Sequence, residues 1–341
     1  MSRHGNVAAA LVFISALLLG GCDRVAEAHV GAGGDDSARG SQTVAAAPYV
    51  KLATSLVARG VDVWVETDMV KAYLAGPERY RQVLAISLDL ARRKGVRGIK
   101  IADELGYHDG TTPETARALV VRAAHDIHAA QPATKVLIDV VVPELGCLSW
   151  TPDATDGEDI CGATARVRDP AASLAAIDSY VATGGLDVVD LSPGLGDEAF
   201  YAQQGLSRDD AMRLAWREAV RRWGGRVTLQ ARKALAHPGP YPYTAARAEA
   251  DVHTYVDIPL AEGAHAVDIW TWAQNYRGQF VIITDPGGRA NALTRALQER
   301  RAKGAKLWTH MTPSSLQVNL GHDVADVSAQ FDAVFVAAGT G

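Results

Sequence analysis

Val61-Asp62-Val63-Trp64-Val65-Glu66, then a helical pattern over residues 77–94, then Gly98-Ile99-Lys100-Ile101-Ala102-Asp103-Glu104, decides the fold. Two β-branched runs with a helix between them make a strand–helix–strand unit, and the rest of the chain repeats it. The next helix opens at Thr112-Pro113-Glu114, with threonine as cap and proline in the first turn. A third run covers 135–142 and leads to a helix over 170–182. A fourth, Leu186-Asp187-Val188-Val189-Asp190-Leu191, is followed by a helix from Ser207-Arg208-Asp209-Asp210 to Gly224. A fifth covers 226–232, with helical pattern near 243–251. Beyond it the order loosens: strands over 266–272 and 280–285, a helix over 289–303, the run Lys306-Leu307-Trp308-Thr309-His310, and an extra strand over 331–337. The expected fold is α/β, a (β/α)8 TIM barrel that is irregular in its last third. An open doubly wound sheet would favour a glycine-rich loop after the first strand. Glu66-Thr67-Asp68-Met69 contains no glycine.

Side chains alternate faces along a strand, and the face that meets the helices must be apolar. Val61, Val63 and Val65 take that face, so Asp62, Trp64 and Glu66 point into the barrel. By the same parity Lys100, Ala102 and Glu104 point inward from the second strand, and Leu137, Asp139 and Val141 from the third. Thr228, Gln230 and Arg232 do so from the fifth. Asp268, Trp270, Trp272, Trp308 and His310 follow in the last third. The fourth strand reads apolar on both faces until Asp190. A purely structural interior would hold layers of Val, Ile and Leu. So polar a set must be paired or solvated, because an unpaired buried charge costs several kcal/mol.

Acids beside indoles suggest a sugar ligand. Trp64, Trp270, Trp272 and Trp308 would be stacking platforms, with Lys100, Gln230, Arg232, Asp268 and His310 as further binding groups. Glycoside hydrolysis needs two carboxyl groups about the scissile bond. Glu104 is the expected acid and Glu66 the nucleophile or base, with Asp139 and Asp190 as further candidates. Each residue also has a plainer reading. Lys100 with Glu66 or Glu104 makes a structural ion pair, Asp190 caps a turn, Trp308 packs in the barrel floor, and His310 is a hydrogen-bonded core histidine. The order of elements, the carboxylates at strand ends and Ile269-Trp270-Thr271-Trp272 together resemble the TIM-barrel glycoside hydrolase superfamily, over roughly residues 58–312. That resemblance implies an enzyme acting on an oligo- or polysaccharide; no cofactor is expected, and no metal either, since the sequence holds no His-X-His or His-Glu-X-X-His. The largest clan ends strand four in Asn-Glu; here it ends Asp190-Leu191-Ser192-Pro193, so its catalytic pair does not carry over. Two rivals stand beside this reading: a barrel that binds glycan without cleaving it, and a lyase or aldolase using Lys100 as a Schiff-base amine.

The N-terminus has its own pattern. Arg3 and His4 precede an apolar stretch over 7–19, too short to span a bilayer core but long enough for a signal-peptide core. Leu19-Gly20-Gly21-Cys22 then resembles the lipobox of bacterial lipoproteins. The resemblance implies cleavage after residue 21, acylation of Cys22, and a protein held by lipid at a membrane outside the cytoplasm. Residues 22–47 read as a flexible tether, since Gly31-Ala32-Gly33-Gly34-Asp35-Asp36-Ser37 offers no apolar surface to bury. Residues 48–341 form the barrel domain. Outside the cytoplasm Cys147 and Cys161 are expected as a disulfide. With 34 Lys and Arg against 39 Asp and Glu, net charge −5, and no basic cluster, the chain is not expected to bind nucleic acid.

Overall fold

The computed structural model describes residues 44–338. The leader, Cys22 and nearly all of the tether lie outside them. Among the described residues no helix is long and apolar enough to cross a membrane.

Eleven strands are numbered here in chain order: β1 Asp62–Glu66, β2 Val96–Ala102, β3 Lys135–Val141, β4 Val188–Ser192, β5 Thr228–Ala234, β6 His237–Pro238, β7 Val267–Trp270, β8 Ala273–Tyr276, β9 Gln279–Ile282, β10 Leu307–Met311 and β11 Ala333–Ala337. Eight of them close a parallel barrel in the order β1-β11-β10-β7-β5-β4-β3-β2, with helices outside. The chain is therefore an α/β TIM barrel, as the alternation of runs implied.

The last third differs in detail. The run expected over 280–285 does not enter the barrel; β9 pairs antiparallel with β8 and β6 in a small sheet of three strands. The eighth barrel strand is instead β11, read from sequence as an extra strand, which pairs with both β10 and β1. A barrel needs closure more than even spacing, and the Ala333–Ala337 run is the apolar segment that supplies it.

The helical layer follows its sequence signals. Thr112 accepts from the Thr115 amide to cap the helix Pro113–Ala130, and Ser207 and Asp210 form a capping box for Arg208–Trp223. Asp156–Arg168 is an additional helix that begins within the cysteine loop and runs past it, capped by Thr155 with Glu158. Cys161, on this helix, is joined to Cys147 as a disulfide. A loop of that length is stabilised by about 3 kcal/mol in the chain-entropy model.

Inside the barrel the floor is apolar and aromatic. Trp64, Leu137, Val188, Ala266, Trp308, Ala333 and Phe335 form one buried cluster, with the two indoles 5.4 Å apart. Gly98 makes room for it: a Cβ there would clash with the Trp64 ring and the Lys135 carbonyl. Above this floor the interior becomes charged.

Candidate functional site

The charged layer is built by the strand ends. Glu66 on β1, Lys100 on β2, Asp139 on β3, Asp190 on β4, Gln230 and Arg232 on β5, Asp268 on β7 and His310 on β10 all face the barrel axis, as parity requires. Lys100 is fully buried. Its Nζ lies 2.8 Å from Glu66 Oε1, 3.0 Å from Asp103 Oδ1 and 3.4 Å from Asp139 Oδ2. The Phe335 ring sits 5.1 Å from the same ammonium. Arg232 bridges outward: Nε is 2.9 Å from Asp139 Oδ2 and Nη1 donates to Glu104 Oε1 at 2.8 Å. His310 joins two strands, with Nδ1 2.9 Å from Glu66 Oε2 and Nε2 2.8 Å from Asp268 Oδ2.

Burial works against each charge here, and the neighbours decide which survives. Burial would raise Glu66, but His310 and Lys100 outweigh it and hold the carboxyl down at about 2. Burial would lower His310, but Asp268 and Glu66 outweigh it and lift the imidazole to about 9. Both ring nitrogens therefore donate, as an imidazolium does. Burial opposes the charge on Lys100, yet Asp103, Glu66 and Asp139 raise it well above the ordinary lysine range. Asp190 has no such help. Burial pushes it well above the usual carboxylate range, with Asp268 and Asp139 adding to the rise. Both its oxygens lack a hydrogen-bond partner, and so do both polar atoms of the neighbouring Gln230.

Over this layer opens a cleft of about 890 Å³. Glu104 and Arg232 line its inner end, Trp270 and Tyr276 one wall, and Lys233 and Tyr255 another. Glu104 is not on a strand: β2 ends at Ala102, and Glu104 sits in the following loop with φ 49°. A non-glycine residue in that left-handed region costs about 1–2 kcal/mol, and such strain gathers at functional sites. The Arg232 bond holds it there.

The structure sorts the residues singled out by sequence. Glu66, Lys100, Glu104, Asp139, Arg232, Asp268 and His310 fall in one connected network. Trp270 lines the cleft and bonds Gln274 through its indole N–H at 3.0 Å. Asp190 and Gln230 lie near the network, buried and without partners; Asp190 is not a cap. Trp64 and Trp308 are in the floor, beneath any ligand, so they pack rather than offer faces. Trp272 lies past the end of β7 at Trp270, where parity lapses; it is buried in the helix-side core and its N–H bonds Asp323 at 2.8 Å. Parity fails also for Ala102, where a register shift on β2 turns the chain to the helix side, while Asp62, at the start of β1, is half-exposed and paired with Arg97. Sequence reading did not select Asp103 or Phe335. Asp103 follows Ala102 in a quoted run, and Phe335 lies inward by the parity of β11, so both signals were present.

No family model and no curated protein matches the chain. Solved structures do match, in fold. A crystal structure of 2,3-dimethylmalate lyase, a PEP mutase/isocitrate lyase superfamily member, is 13% identical over 85% of this chain and 80% of its own, with TM-score 0.39. The carboxyl transferase domain from Rhizobium etli pyruvate carboxylase is 13% identical over 85% of this chain and 41% of that one, with TM-score 0.42. A beta-glycosidase from Pyrococcus horikoshii is 9% identical over 76% and 74%, with TM-score 0.40.

The expectation of a glycoside hydrolase is corrected by the placement of the residues that carried it. Within the barrel, three of the four expected indole platforms are buried away from the cleft. Glu66, the expected nucleophile or base, is held by Lys100 and His310 and does not line the cleft. Three carboxylates around Lys100 favour its ammonium form, whereas a Schiff-base amine attacks a carbonyl as the neutral amine.

Proposed function

We propose that this barrel is an enzyme of the lyase class, breaking a C–C bond beside a carbonyl by proton transfer at its mouth. The observation that supports it is the Glu104–Arg232 pair at the inner end of the cleft: a strained, cation-backed carboxylate open to a ligand. Glu104 takes the proton from a substrate hydroxyl. That O–H electron pair becomes the new C=O, the C–C bond breaks, and its electrons move into an enolate whose oxygen faces Arg232. The proton held by Glu104 then returns to the enolate carbon. Preorganised positive charge at a developing oxyanion is the largest electrostatic lever such a site has. Lys100 and His310 act from beneath as fixed charges that keep Glu66, Asp139 and Asp268 in place.

Incubation of the full chain with a panel of 3-hydroxy carbonyl compounds, read as carbonyl product released, tests this. Glu104→Gln keeps a hydrogen-bond acceptor for Arg232 and is expected to lower turnover by at least ~100-fold, the usual contribution of a general acid or base. Equal turnover in parent and variant would remove Glu104 from the mechanism.

The proposal carries the leader with it: an enzyme working outside the cytoplasm, tethered through acylated Cys22. Radiolabelled palmitate fed to expressing cells is expected to enter the parent chain and not Cys22→Ala. Label in both, or in neither, would contradict the anchor.

A further inference from the structure

The arginines that line the cleft are not alike. Arg168 is 2.6 Å from Asp169, Arg232 is 2.8 Å from Glu104, and Arg247 is 3.1 Å from Asp251. Arg208 has no carboxylate within 4.0 Å among the described residues. Its guanidinium lies 5.3 Å from the Tyr255 ring centroid, and its Nε is buried without a hydrogen-bond partner. Lys233 Nζ approaches the same ring at 4.6 Å. Two cations thus gather at one tyrosine on the cleft wall. The acids beside Arg208 in sequence are engaged elsewhere. Asp209 accepts from Thr254 Oγ1 at 2.6 Å and faces His253, and Asp210 caps its helix with Ser207 and meets Arg213.

A planar guanidinium with free N–H groups matches an oxyanion, and a partly desolvated one gains more from that match than an exposed one. Lys233 next in chain to Arg232 ties this wall to the inner end of the cleft through β5. We propose that the cleft takes an organic anion and that Arg208 holds its carboxylate or phosphate group. This deepens the lyase reading by naming its substrate class, and rests on that reading for the word substrate. The anion site itself is measurable without turnover.

Calorimetric titration of the full chain at low ionic strength with inorganic phosphate, and separately with succinate, tests it. Saturable binding of at least one anion is expected, and which one binds distinguishes a phosphate from a carboxylate site. Arg208→Ala is expected to weaken that binding by at least ~10-fold, since charge-assisted bonds are the strong ones. Arg208→Gln should give the same loss if the alanine variant does not fold. Arg226→Ala, on a guanidinium that bonds the Arg222 carbonyl outside the cleft, should leave it unchanged. No saturable binding of either anion by the parent, or unchanged affinity in both Arg208 variants, would overturn the proposal. Catalysis could fail while this binding stands, so the two ideas fall separately.

Discussion

Lys100→Met is expected to destabilise the protein by about 3 kcal/mol, at the lower end of what removing one partner of a buried ion pair costs. The physical reason is asymmetric. Lys100 Nζ is shared by Glu66, Asp103 and Asp139, and the side chain is wholly buried. Methionine fills the volume, yet leaves the buried Asp139 and the partly buried Glu66 without that charge. The loss is held to the lower end because Glu66 keeps His310 and Asp139 keeps Arg232. Urea denaturation at neutral pH measures it directly. The deficit should shrink in acid, where the orphaned carboxylates take up protons. A variant as stable as the parent would mean that the network is not a structural unit.

Folding stability should fall as pH rises from about 6.5 to about 9, through His310. Its folded value, about 9, lies above the ordinary 6.5. A group whose pKa is raised on folding binds its proton more tightly in the native state. Its contribution is therefore complete below the unfolded value and is lost as pH climbs through the folded one. The span corresponds to about 3 kcal/mol. Denaturant midpoints taken across that range are expected to decline, and His310→Gln should flatten the decline while lowering stability at neutral pH. A parent whose midpoint is level from pH 6 to 10 would show that the imidazolium with Glu66 and Asp268 contributes nothing.

Much of this layer was legible in sequence because parity is a local rule. Val61, Val63 and Val65 announce one face of β1, and the other face then carries Glu66 to the interior. The same rule found Lys100, Asp139, Arg232, Asp268 and His310. It could not say how high in the barrel each residue stands, since height depends on strand tilt and stagger, which are properties of the closed sheet. Trp64 and Trp308 were therefore read as ligand platforms although they lie in the floor. Trp272 was misread because the period was carried past the end of β7. Glu104 lines the cleft by way of a loop in left-handed conformation, not by the strand alternation that pointed to it. β9 and β11 were ranked in the wrong order because both read as short apolar strands, and only closure against β1 separates them. The tryptophans suggested a sugar. What decides against that suggestion is where they sit, and placement is tertiary.

The most direct measurement of the central claim is carbonyl release from the 3-hydroxy carbonyl panel by the full chain, with and without cyanoborohydride, followed by peptide mapping at Lys100. The account predicts release at the same rate in both, with the Lys100 peptide unmodified, because the amine is a fixed ammonium and Glu104 moves the proton. No release from any compound by the folded protein would contradict the lyase reading. Release that cyanoborohydride stops, with substrate mass added at Lys100, would show that the lysine is the nucleophile and that the charge assignment at the barrel mouth is wrong.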